Sequence, residues 1–124
     1  MRIFKNTWFT RFADKEGIKD GELKELVDQL EAGQAEADLG GGVYKTRVAR
    51  PGEGKSGGYR VIVFFRSEER TFFVYGFAKS GKANIDQGEL KAFKEDAKYQ
   101  LALTDLQIEA WLKRKDLVEI LQEV

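Results

Sequence analysis

The sequence predicts an α+β fold: a small antiparallel sheet packed with N-terminal and C-terminal helices, plus an extra helix at the C-terminal end. Two observations predict it. Three runs rich in strand formers, 43–49, 59–66 and 71–78, follow one another with short connections, and short connections pair strands antiparallel. On either side of them, apolar residues recur at helical spacing behind residues suited to capping. With 124 residues the chain suffices for one core, read here as a single domain with a body at 1–103 and a helical extension at 104–124.

From the N-terminus, Ile3 and Phe4 begin a short strand, and Asn6 or Thr7 caps a helix that Gly17 ends. Asp20 is the expected cap of a second helix, in which Leu23, Leu26, Val27 and Leu30 share one stripe. Gly33 stops it, and Leu39 to Gly42 reads as a flexible entry to the central strands. The period of two puts Lys45 and Arg47 on one side of the first strand, and Arg60, Ile62 and Phe64 on one side of the second. Pro51 to Gly58 forms a glycine-rich loop, and Ser67 to Arg70 a polar hairpin turn. Helices are expected on one side of this sheet. Asp86 with Glu89, and Thr104 with Gln107, are capping-box pairs opening two further helices. The first carries the stripe Leu90, Phe93, Ala97 and Leu101; the apolar residues of the second lose phase beyond Lys113.

Composition narrows the chemistry. No Cys and no His occur, which removes thiol nucleophiles, thiolate metal sites, the neutral-pH proton shuttle and the commonest metal ligand. No apolar run is long enough to cross a bilayer, and the first residues lack the apolar block of a signal peptide, so a cytoplasmic protein without membrane contact is expected. Charge is sorted along the chain although its formal total is zero. Residues 43–82 hold nine Lys or Arg and three acids, while 1–42 and 83–124 each hold six bases and nine acids. A local excess of six positive charges sits in the central strands and suits a polyanion.

Ala49 to Ser56, ending Gly54-Lys55-Ser56, loosely matches a nucleotide-binding P-loop. That motif needs a helix N-terminus directly after it, and Tyr59 to Phe65 is a strand by composition. The nucleotide-binding reading is set aside. What remains is Lys55 beside Lys45, Arg47 and Arg60, with Lys79 and Lys82 after the last strand, and Tyr59, Tyr75 and the phenylalanines as surfaces on which bases could stack. Pattern alone leaves open whether these cations form a shaped phosphate site or are solvated strand charges.

Three segments carry a resemblance: Gly42 to Ala49; the block Gly52-x-Gly54-Lys55-Ser56-Gly57-Gly58-Tyr59-Arg60-Val61-Ile62; and Phe77-Ala78-Lys79-x-x-Lys82-Ala83-Asn84-Ile85. Together they resemble the HigB-like branch of the RelE/HigB ribonuclease toxins of bacterial type II toxin-antitoxin pairs, over roughly 1–103. The resemblance implies a ribosome-dependent endonuclease that cuts mRNA, and an antitoxin partner, expected to be a helix-turn-helix protein; with no His and no Cys, cleavage without metal or cofactor is expected. By the same resemblance Arg60 looks like the arginine that binds the scissile phosphate, and Lys79 occupies the basic position after the last strand. Lys55, Lys45 and Arg47 look like the residues that hold RNA or stabilise its charge. The assignment expected is therefore Lys55, Arg60 and Lys79 in catalysis, with Lys45, Arg47, Tyr59 and Lys82 binding RNA.

The inventory and this chemistry agree. RNA carries its own nucleophile, so an enzyme can align the 2′-OH with the adjacent phosphate and stabilise the added charge using cations alone, leaving a 2′,3′-cyclic phosphate. Two other readings stand beside it. One is a non-catalytic nucleic-acid or antitoxin-binding module on the same fold; the other is a purely structural interaction domain.

Overall fold

The computed structural model describes the backbone of residues 1–50, 54–82 and 84–122, with side chains throughout except at 50 and 54–57. In chain order the elements are β1 (Arg2–Asn6), α1 (Thr7–Glu16), α2 (Asp20–Glu31), β2 (Ala37–Gly40), β3 (Val43–Arg50), β4 (Gly54–Arg66), β5 (Arg70–Ala78), α3 (Gln87–Leu101), α4 (Asp105–Lys113) and β6 (Leu117–Ile120). The architecture is the expected α+β one. Among the described residues, a six-stranded sheet runs β2-β3-β4-β5-β1-β6, its pairs antiparallel except β1 with β5, which run parallel. The parallel pair arises because two helices and three strands separate β1 from β5, so no hairpin dictates their direction.

Strand β4 explains the layering. Tyr59, Val61, Val63 and Phe65 point to one side and join Phe9, Ala13, Leu23, Leu26, Val27 and Leu30 of α1 and α2. Ile62 and Phe64 point to the other and join Ala97 and Leu101 of α3 and Ile108 of α4. Helices thus cover both faces, which corrects the one-sided packing expected from sequence; a strand apolar on both sides demands two covers.

Most helix ends lie where the capping residues place them. The Asn6 side chain accepts from the Phe9 amide at 2.7 Å, and Gly17 closes α1 at φ 72°. Asp86 and Glu89 cap α3 reciprocally, as Thr104 and Gln107 cap α4. Asp20 is the exception. Its carboxylate takes Lys5 Nζ at 2.9 Å and it becomes the first residue of α2, while Glu22 reaches back to the Lys19 amide.

Two stretches differ from expectation. Residues 37–40 form the edge strand β2, and Gly40, Gly41 and Gly42 turn it back on β3 with positive φ. The chain beyond Lys113 leaves the helix and becomes β6, paired to β1. Leu117 and Ile120, three apart, would share a helix stripe; in a strand that spacing sends them to opposite faces, and each enters a different core. Arg2 locks this terminus by pairing with Glu109 and Glu119 at 2.9 Å each. Of the glycine-rich loop read at 51–58, residues 51–53 lie outside the described residues, and β4 already begins at Gly54.

Candidate functional site

Strand register assembles the site. Lys45 and Arg47 are two residues apart on β3 and share a face. Arg47 stands directly across from Arg60 on β4, and Arg60 directly across from Phe77 on β5. Ile62, the next residue of β4 on this face, faces Lys45 on one side and Tyr75 on the other. Directly opposite residues of an antiparallel pair project to the same side, so Lys45, Arg47, Arg60, Tyr75 and Phe77 line one surface on the α3 side of the sheet.

Two like charges facing each other across a ladder need a counter-charge. Glu36, just before β2, supplies it. Its Oε1 lies 2.8 Å from Arg47 Nη2 and its Oε2 lies 3.1 Å from Arg60 Nε. The Arg60 side chain is 4% exposed and the Glu36 side chain 19%, whereas that of Arg47 is 43% exposed. Arg60 is thus a buried guanidinium held beneath the surface, with Arg47 above it at the rim. β2 pairs with β3 only as far as Lys45, leaving the edge at Arg47 open to Glu36.

Lys45 Nζ donates to Asn84 Oδ1 at 3.4 Å, which ties β3 to the segment after β5. Lys82 Nζ reaches both oxygens of Glu89, at 2.7 and 2.6 Å, donates to the Tyr75 hydroxyl at 3.4 Å, and lies 5.4 Å from the Tyr75 ring centroid. The hydrogen bonds that it donates to Glu89 foremost, and to Tyr75, raise the Lys82 ammonium above its usual range, and Lys82 in turn holds Glu89 below the usual carboxylate range. Lys82 is therefore a fixed cation, unsuited to accepting a proton near neutrality.

Of the residues expected from sequence, Lys45, Arg47, Arg60 and Lys82 meet at this surface. Lys79 is exposed in the turn after β5, its amide donating to Gly58 O at 3.4 Å. The Lys55 side chain lies outside the described residues. Tyr59 stands on the opposite face, opposite Val48. Its ring is 3% exposed and packs edge-on to Phe12, and its hydroxyl donates to Glu16 Oε2 at 2.7 Å. The period of two separates it from its neighbour Arg60.

Chemically, the exposed Arg47 guanidinium can grip an anion through its planar donors, and an anion that reaches Arg60 beneath it must displace the Glu36 carboxylate. Among the described residues, no cluster of three or more His, Cys, Asp or Glu is placed to hold a metal ion. No helix among them is long and apolar enough to cross a membrane. Residues 1–120 match the family described as RelE toxin of the RelE/RelB toxin-antitoxin system. The chain belongs to that family. Its cationic surface is thus the surface of a RelE-family toxin, and family membership implies an antitoxin partner. The match also takes in β6, beyond the roughly 1–103 that the resemblance covers.

Sequence reasoning missed Glu36 and the Lys45 partner Asn84. Glu36 lies in a polar stretch that carries no strand or helix period, and only the β2–β3 hairpin brings it to Arg47 and Arg60. A lone acid preceding a strongly basic segment is the available signal, and it is weak.

Proposed function

We propose that this RelE-family toxin is a ribosome-dependent, metal-independent mRNA endonuclease of the HigB-like branch, acting in the cytoplasm and neutralised by a helix-turn-helix antitoxin. The observation that carries the reading is the cross-strand arginine pair. Arg47 and Arg60 come from adjacent strands, share one face, and are bridged by a carboxylate, an anion whose two oxygens can be replaced by two of a phosphate.

In this mechanism the 2′-oxygen attacks the adjacent phosphorus, a bond forms between them, and the bond to the 5′-oxygen breaks. The products are a 2′,3′-cyclic phosphate and a 5′-hydroxyl. Arg60, with Arg47, binds the non-bridging oxygens and stabilises the added charge; one well-aimed donor of this kind is worth about a hundredfold in rate or more. Lys45, two residues from Arg47 and held by Asn84, binds the RNA backbone. Lys55 or Lys45 takes the 2′ proton, and Lys79 gives one to the leaving 5′-oxygen as its bond to phosphorus breaks. Lys82, fixed by Glu89, contributes only charge. The ribosome supplies the RNA geometry.

The test is induction of the wild-type toxin and of Arg60→Ala/Lys55→Ala in cells, with mapping of mRNA 5′ ends. Wild type is expected to arrest growth and leave new cut ends, and the folded double mutant to do neither. Full toxicity of that mutant refutes the site. Growth arrest with intact transcripts supports instead a binding module on the same fold.

A further inference from the structure

Beyond the cations, the surface carries an aromatic array that ends in solvent. Phe77 stands across from Arg60, and Tyr75, the next residue of β5 on that face, lies 6.1 Å from the Phe77 ring. Trp8, in the first turn of α1, packs against Tyr75 with centroids 4.6 Å apart. It is also stacked on Phe12, one helical turn on, at 5.4 Å and 16°. β5 extends past the end of β1, so α1 rather than a strand covers its last residues. Trp8 therefore reaches round the sheet edge to the arginine-bearing face.

The indole is nevertheless 45% exposed. Phe12 and Tyr75 pack against it, the Asn6 cap fixes its helix, and the rest of its surface is exposed. A rigid, exposed indole beside a cationic face costs little further entropy to bind a flat partner.

We infer that Trp8 is the stacking platform for an unpaired base of the RNA whose phosphate sits at Arg47 and Arg60. The inference rests on the nuclease reading and adds to it a residue that positions substrate through a base rather than through a phosphate. A single strand anchored at the arginines and running along β5 passes Phe77 and Tyr75 and meets Trp8. Every base has a π-face, so this contact tolerates sequence while favouring the larger purines.

The experiment measures cleavage of mRNA on purified programmed ribosomes by wild type, Trp8→Leu, Trp8→Phe, Trp111→Phe and Arg60→Ala, each shown folded by its melting curve. Leucine keeps apolar packing on Phe12 and Tyr75 without a stacking plane, and phenylalanine keeps a plane. Trp8→Leu is expected to lose about tenfold in kcat/KM, mainly through KM, and to flatten any purine preference at the nucleotide beside the cut. Trp8→Phe should stay within about threefold of wild type, and Trp111→Phe should match it. Trp8→Leu equal to wild type while Arg60→Ala is inactive overturns the inference and leaves the nuclease reading standing. So do equal losses in Trp8→Leu and Trp8→Phe, which would mark a packing role. Normal cleavage by Trp8→Leu with lost binding of a co-expressed antitoxin overturns it in favour of a protein partner. No cleavage by wild type sinks the nuclease reading and the inference together.

Discussion

Glu36 balances the charge of the cross-strand arginine pair. Its carboxylate bridges Arg47 and Arg60 at 2.8 and 3.1 Å while the Arg60 side chain is only 4% exposed. Removing one partner of a well-buried pair costs several kcal/mol because the survivor stays buried and uncompensated. Here the cost is smaller: after Arg60→Ala the carboxylate keeps Arg47 and remains partly in water, so about 2 kcal/mol is expected. Glu36→Ala leaves two guanidiniums facing each other across the ladder and should cost about 2–3 kcal/mol. The double mutant lacks both halves of the pair and should lose less than the two singles together, with a coupling of about 1–3 kcal/mol. Urea unfolding of the four proteins measures this, the midpoint shifting at constant m, and each kcal/mol corresponds to about 4 °C in melting temperature for a chain of this size. A coupling below about 0.5 kcal/mol would refute the bridge as a stabilising unit.

Three further outcomes are expected. A methyl at Gly76 would run into the Phe12 ring, so Gly76→Ala should cost about 1–3 kcal/mol, while Gly21→Ala, on an open part of α2, should be neutral or stabilising; equal melting points for the pair would contradict the α1–β5 packing. Glu89 is held below its usual value of 4.5 by Lys82, so the stability it adds is present above that pH and fades as pH falls through the lower folded value. Wild type should therefore lose melting temperature below pH about 4.5 more steeply than Glu89→Gln, and parallel acid profiles would argue against the pair. Ile120→Ala, at a side chain 2% exposed, should cost about 2–4 kcal/mol, against almost nothing for Leu121→Ala at 78%; the reverse order in urea midpoints would mean that the chain end is not β6.

What the sequence by itself determined was local. The caps at Asn6, Asp86 and Thr104, the stripe Leu23, Leu26, Val27, Leu30, and the alternation in β4 each follow from residues within a turn or two of one another, and all take the form their periods require. The same period of two sets Lys45 and Arg47 on one face of β3. Tertiary structure decided what depends on distant partners. Leu117 to Ile120 is a strand because the free edge of β1 offers it hydrogen bonds that an isolated helical turn cannot match. Arg60 is matched to Arg47 rather than to its chain neighbour Tyr59 because ladder register, not proximity in sequence, chooses the face. Glu36 meets both arginines, and Trp8 meets Tyr75, only after separate elements close on the sheet, for contact between residues far apart in the chain leaves no periodic trace in the sequence.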